Sequence, residues 1–134
     1  MKKLILIIGL FMSYSCSNNT DEYVLEQDTS EFFNPPDWIH GKWQVNGTVL
    51  FKFTNNDFMT IANGNETSFK YILSLPSNIN PNVIENISNT EYNFVISTGI
   101  QNHEYKFKKI NNNTIQWVNY PQSNIVGAYY LTRY

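Results

Sequence analysis

Chemistry in this chain of 134 residues would have to come from one cysteine, two histidines and eleven carboxylates. The histidines, His40 and His103, lie far apart in sequence, each beside a turn. His103 adjoins Glu104, but successive strand residues point to opposite faces, so the two do not form an acid–base pair. No serine occupies a Gly-x-Ser-x-Gly elbow. Two histidines without a nearby third ligand make no zinc site. Asp57, Glu66, Glu85, Glu91 and Glu104 fall at turns or mostly on the polar phase of strands, where solvation is the ordinary state of a carboxylate. The expectation is a protein that is not an enzyme, with no catalytic residue, no metal site and no cofactor.

Cys16 asks for a different chemistry. It follows Met1-Lys2-Lys3 and the nine-residue apolar run Leu4 to Met12. That run is shorter than the roughly 20 residues that span a bilayer, and a basic start followed by a short apolar stretch fits a secretory signal peptide. An odd cysteine in an exported chain has no intramolecular partner. A free or oxidised thiol is the competing reading. Ser13-Tyr14-Ser15-Cys16 resembles the lipobox of bacterial lipoproteins, in which cleavage falls before a cysteine that takes up lipid. The resemblance implies a signal peptide over residues 1–15 and lipidation of Cys16 through thioether-linked and amide-linked acyl chains of the palmitate type. It also implies anchorage in the outer membrane of a Gram-negative bacterium, on the periplasmic or the surface face. Burial at about 0.8 kcal/mol per methylene makes two or more such chains a stable anchor.

Residues 16–37 then form an acidic tether. Asp21, Glu22, Glu26, Asp28, Glu31 and Asp37 are six of the eleven carboxylates, and no Lys or Arg interrupts them. Like charges keep a linker extended, and Pro35-Pro36 stiffens its end. Thr20-Asp21-Glu22 resembles the acidic surface-export signal of some lipoproteins, and a solvated spacer explains it equally well. Residues 38–134 carry seven Lys/Arg against five Asp/Glu, without a dense basic patch, which argues against nucleic acid as a partner.

The elements that must position any site read as strands. The 97 residues from 38 to 134 suffice for one domain. Their apolar period is two. Val49, Phe51 and Phe53 share a phase, as do Phe69, Tyr71, Leu73 and Leu75. Further runs carry Tyr92, Phe94 and Ile96; Tyr105 and Phe107; Ile115 and Trp117; and Ile125, Gly127, Tyr129 and Leu131. Asn46-Gly47, Asn63-Gly64-Asn65 and Asn111-Asn112-Asn113 sit between runs as hairpin signals. The longest break, residues 75–83, holds two prolines that rule out a central strand. No helix is expected beyond a turn near Trp38. The fold expected is all-β: an antiparallel up-and-down β-barrel of about eight short strands, following the signal peptide and disordered tether.

Gly41-Lys42-Trp43 opens the first strand, and the chain's one arginine, Arg133, lies near the end of the last. This pairing resembles the lipocalin-like (calycin-type) barrels, in particular the small lipocalin-like domains of bacterial lipoproteins. The resemblance implies that Trp43 closes one end of a barrel with Arg133 packed across its indole and Gly41 alongside. A guanidinium over an indole gains roughly 0.5 to 2 kcal/mol in its own right. The chain is shorter than a typical lipocalin, lacks a clear Thr-Asp-Tyr turn, and carries no helix pattern after its last strand.

If one phase of each strand faces inward, the interior holds Trp43, Val45, Phe51, Leu73, Ile115 and Leu131 together with nine candidates for a ligand pocket. These are Phe53, Phe69, Tyr71, Tyr92, Phe94, Tyr105, Phe107, Trp117 and Tyr129. Buried tyrosine hydroxyls need polar partners and could orient a small hydrophobic or amphipathic ligand. Alternatively the rings fill the barrel and the tyrosines sit near its mouths. The first case implies a membrane-anchored binder of a small apolar ligand. The second implies an interaction module, an inhibitor or accessory subunit that meets an envelope protein partner through residues 76–82.

Overall fold

The computed structural model describes residues 32–134, so Cys16, the apolar leader and most of the acidic run lie outside the described residues. Nine strands form one sheet: β1 Gly41–Val45, β2 Thr48–Phe53, β3 Phe58–Ala62, β4 Asn65–Ser68, β5 Asn82–Ile87, β6 Glu91–Ser97, β7 Asn102–Asn111, β8 Thr114–Trp117 and β9 Tyr129–Arg133. Two short helices, α1 Phe69–Ser74 and α2 Ser123–Val126, interrupt them. The strand order is β4-β3-β2-β1-β9-β8-β7-β6-β5, and every pairing is antiparallel. The first and last strands are therefore neighbours, and the sheet stays open along one seam between β4 and β5. Asn46 and Asn63 take positive φ (49° and 52°) ahead of glycines that do the same, the geometry of tight hairpin turns.

The sheet curls until its two arms touch. Phe58 on β3 meets Phe94 on β6 at 5.0 Å and Tyr105 on β7 at 4.8 Å between ring centroids, both edge-on. The result is a half-barrel whose concave face is the core. Trp43, Phe51, Phe53, Phe58, Tyr92, Phe94, Ile96, Phe107, Ile115 and Leu131 are buried there. We call the end bearing the β1–β2, β3–β4 and β6–β7 turns the upper end. The lower end bears the β2–β3, β5–β6 and β7–β8 turns.

Two segments fill the seam. One is α1 with the loop behind it, which buries Leu73 and seats Ile79 on Gly99. A Cβ on Gly99 would lie 1.8 Å from Ile79 Cγ2, so the close approach requires glycine at that position. The other is residues 32–39. Phe33 and Ile39 are fully buried in the core, the Asn34 amide binds the Glu85 carboxylate, and Trp38 Nε1 donates to the Ser88 carbonyl at 3.0 Å.

Several expectations are corrected. There are nine strands, not about eight. The packed region reaches back to Phe32 and Phe33, so residues 32–37 belong with the domain and not with the tether. The run from Thr67 to Leu75 is not one strand. It breaks at Ser68 into α1, where Tyr71 points to solvent with 65% of its surface exposed. Tyr71 is thus no interior residue. Ile125 belongs to α2 and is exposed, not in strand phase with Tyr129. A bulge opposite Trp43/Gln44 places Leu50, not Val49, against the core. Val83 falls inside β5, an edge strand that starts right after the second proline of the break.

Candidate functional site

At the lower end the three residues singled out from the sequence come together. Arg133 Cζ stands 4.5 Å from the centre of the Trp43 ring. Its nitrogens donate to three carbonyls: Nη2 to Trp38 at 3.1 Å, Nε to Asn112 at 3.1 Å, and Nη1 to His40. The fork of donors on one planar cation lets it bind strand entry and β7–β8 turn at once. Trp43 Nε1 donates to Ile39 O at 2.7 Å, so the buried indole is satisfied. Gly41 sits at φ 114°, and a Cβ there would come within 2.8 Å of Arg133 Nη1. His40 Nε2 donates to Pro35 O at 2.8 Å, which folds residues 35–40 under the same end. These bonds make the group a structural clasp between strand entry, last strand and the β7–β8 turn.

The nine pocket candidates divide into three groups. Phe53, Tyr92, Phe94 and Phe107 are buried in mutual contact: Phe53 meets Phe107 at 5.3 Å and Tyr92 meets Phe94 at 4.9 Å. Phe69 stacks on Phe58 from the start of α1, and Tyr71 lies apart on the outside of that helix. Tyr105, Trp117 and Tyr129 are half-buried at the upper end of the concave face. The Tyr92 hydroxyl, inside, donates to Glu85 Oε1 at 2.5 Å, and the Asn34 N–H reaches both Glu85 oxygens at 2.9 and 3.0 Å. Burial, with the hydrogen bond to Glu85 next, pushes the Tyr92 phenol far above its ordinary value near 10. Among the described residues no buried side-chain nitrogen or oxygen lacks a hydrogen-bond partner, and no three His, Cys, Asp or Glu gather as a metal site.

The upper end is aromatic and partly open. Tyr120 joins the three candidates there, stacked on Tyr129 at 3.9 Å and tilted against Trp117 at 5.1 Å. Trp117 meets Phe51 edge-on at 4.9 Å, and Tyr105 lies nearly parallel to it at 6.1 Å. Asn119 fixes the group. Its Oδ1 accepts from Trp117 Nε1 at 3.1 Å and from the Lys106 amide at 2.9 Å, while its Nδ2 donates to Glu104 O at 2.8 Å. The side chain thus replaces a strand partner for β7 where β8 has ended. Burial raises the phenols of Tyr105 and Tyr129 above their ordinary values, with the Tyr120 hydroxyl adding to the second. His103 faces Ile96 across β6–β7 and so stands on the concave side of the same rim, exposed, while its neighbour Glu104 pairs with Lys106 on the outer face.

A second opening lies along the seam. Phe32, Leu73, Leu75, Ile79 and Pro81, with the polar Ser74, Ser77 and Asn80, line a groove of about 350 Å³. Most of this lining comes from the two-proline break, residues 75–83. Sequence reasoning missed Phe33, Phe58, Glu85, Asn119 and Tyr120. An aromatic pair inside an acidic run, Phe32-Phe33, was the available signal for the first. The others act through partners far along the chain or in a loop.

No protein-family model, curated protein or solved structure matches this chain.

Proposed function

We propose that this chain is a lipid-anchored outer-membrane lipoprotein with a lipocalin-like domain that encloses no ligand and works as an interaction module of the cell envelope. The observation that supports this reading is the contact of Phe58 with Phe94 and Tyr105, ring against ring across the two arms of the sheet. The space a larger barrel would give to a ligand is taken by side chains. The open groove at the seam, lined by apolar Leu75, Ile79 and Pro81 together with polar Ser77 and Asn80, offers a partner protein a mixed apolar and polar contact surface. Cys16 anchors the chain through its acyl chains, and the acidic run holds the domain off the bilayer. The Gly41–Trp43–Arg133 clasp supports the lipocalin-like part of this reading. No catalytic residue, metal or cofactor enters this reading.

The test is recovery of a defined envelope partner by crosslinking from intact cells, with residues 76–82 native or replaced by Gly/Ser. Loss of the crosslink on replacement, with unchanged membrane retention, is the expected result. Equal recovery from both removes the groove as the contact. Loss of membrane retention in Cys16→Ala tests the anchor separately.

A second reading, a binder of a small amphipathic ligand, is favoured by one feature. Tyr105, Trp117 and Tyr129 keep part of their surface open at the upper end, whereas the other rings on the concave face are almost wholly sealed.

A further inference from the structure

The upper rim has a composition unlike the rest of the molecule. It gathers Tyr105, Trp117 and Tyr129 as half-buried rings with Tyr120 stacked on Tyr129, while His103 on β7 and Thr60 and Thr67 on β3 and β4 share the concave phase. None of these is a carboxylate, an ammonium or a guanidinium. Three charged residues share the concave phase of the described strands, and none is available at this rim. Arg133 is spent on the lower clasp, and the Glu85 carboxylate is taken up by Tyr92 and Asn34. Lys109 pairs with Ile115 toward the lower end of β7. A site of this kind gives an ionic ligand nothing to pair with. It does offer half-buried rings, whose faces carry a negative quadrupole, together with hydroxyls that both donate and accept and an imidazole.

We propose that the upper rim is a binding site for a neutral saccharide, one or two hexose rings of a glycan chain. It rests on the small-ligand reading above and names the ligand class for that mouth. A pyranose has an apolar face of axial C–H groups, slightly positive, that lies against an aromatic ring. Its equatorial hydroxyls point outward in the ring plane, where Tyr120, Tyr129, His103 and Thr60 can meet them. Rigidity supports the assignment. Asn119 holds the indole N–H of Trp117 and the Lys106 backbone together, and Tyr120 is fixed by its stack on Tyr129 and by its hydroxyl's bond to Gln122 Oε1 at 3.2 Å. A platform already set in position loses little side-chain freedom on binding. A shallow, water-open site predicts weak single-chain affinity, of the order of 0.1 to 10 mM, raised by many anchored copies meeting one polymer.

The experiment uses the full chain in a detergent without a sugar headgroup. Cellohexaose, maltohexaose, choline chloride and dodecanoate are titrated while tryptophan emission is followed, with the variants Tyr120→Ala and His103→Ala alongside. The expected result is saturable change with at least one hexasaccharide, weakened fivefold or more in Tyr120→Ala, which still unfolds cooperatively at a modestly lower melting temperature because its stack on Tyr129 is lost. Tyr120 is the sensitive choice because it sits in a loop above the core. Saturation by choline alone would assign a cation site and overturn the saccharide. Saturation by dodecanoate alone would keep the small-ligand reading and overturn the saccharide. Saturable binding untouched by Tyr120→Ala and His103→Ala would place it elsewhere and overturn the site. No response to any of the four at about 10 mM overturns both.

Discussion

Arg133 shows how much one side chain can organise. Its three donated bonds and its place over Trp43 tie β9 to the entry of β1 and to the β7–β8 turn. Arg133→Lys keeps the charge and loses the planar fork, so a loss of about 2 to 4 kcal/mol in urea denaturation is expected. An unchanged midpoint would show the clasp to be ornamental. Gly41→Ala should move stability the same way, since the added methyl meets Arg133 Nη1. In the sequence this cluster was anticipated only through the resemblance that Gly-x-Trp and the one arginine carry together, not through any local signal of their contact. The Tyr92–Glu85 bond was not, since a carboxylate in a strand gives no local sign that a phenol seven residues on will donate to it. Its folded-state phenol titrates above the ordinary value near 10, so the protonated form is favoured by folding. That contribution is complete below pH 10 and is lost as pH rises beyond it. Tyr92→Phe should therefore flatten the fall of stability between about pH 10 and 12, read as melting temperature against pH. An equally steep fall in the variant would assign alkaline sensitivity to other groups.

At the level of elements, α1 is the instructive failure of a period-two reading. Phe69, Tyr71 and Leu73 alternate as a strand would, yet Phe69 and Leu73 are also i and i+4, and six residues are too few for the longer period to declare itself. What decides is a cap supplied from another strand pair. Asp57, at the β2–β3 turn, accepts from Ser68 Oγ at 2.6 Å and from the Lys70 amide at 2.9 Å, and Ser68 Oγ accepts from the Tyr71 amide at 3.0 Å. Three groups of the helix start are satisfied by two side chains. Ser68→Ala is expected to cost about 1 kcal/mol, and Asp57→Ala about 1 to 3 kcal/mol because the nearly buried site is left with unpaired donors. Amide exchange over residues 69–74 should quicken in both, and unaltered exchange would detach the helix from its cap. β3 and β5 were hard to see for opposite reasons. β3 reads Phe-Met-Thr-Ile-Ala with no clean alternation, and β5 places a carboxylate, Glu85, in the inward phase between Val83 and Ile87.

For the whole molecule the open seam is the central fact. A sheet of nine strands that does not close leaves two edges, and the chain deals with them by laying residues 32–39 and the α1 loop between them. The all-β, barrel-like character was legible from hairpin turns and alternating rings. The open order was not, because nothing local states whether β4 meets β5. Phe33 is the strongest dependency. It contacts Phe94 edge-on at 5.7 Å and Phe58 at 6.4 Å, so Phe33→Ala should remove about 3 to 5 kcal/mol. A chain beginning at residue 38 is expected to unfold at markedly lower urea than one beginning at residue 32, and matching midpoints would return residues 32–37 to the tether. The ring-filled concave face is tested most directly by native mass spectrometry of the full chain extracted gently from membranes. A mass equal to the lipidated polypeptide is expected, with no apolar passenger at one-to-one stoichiometry. A passenger retained by the folded chain and released when it unfolds would contradict it.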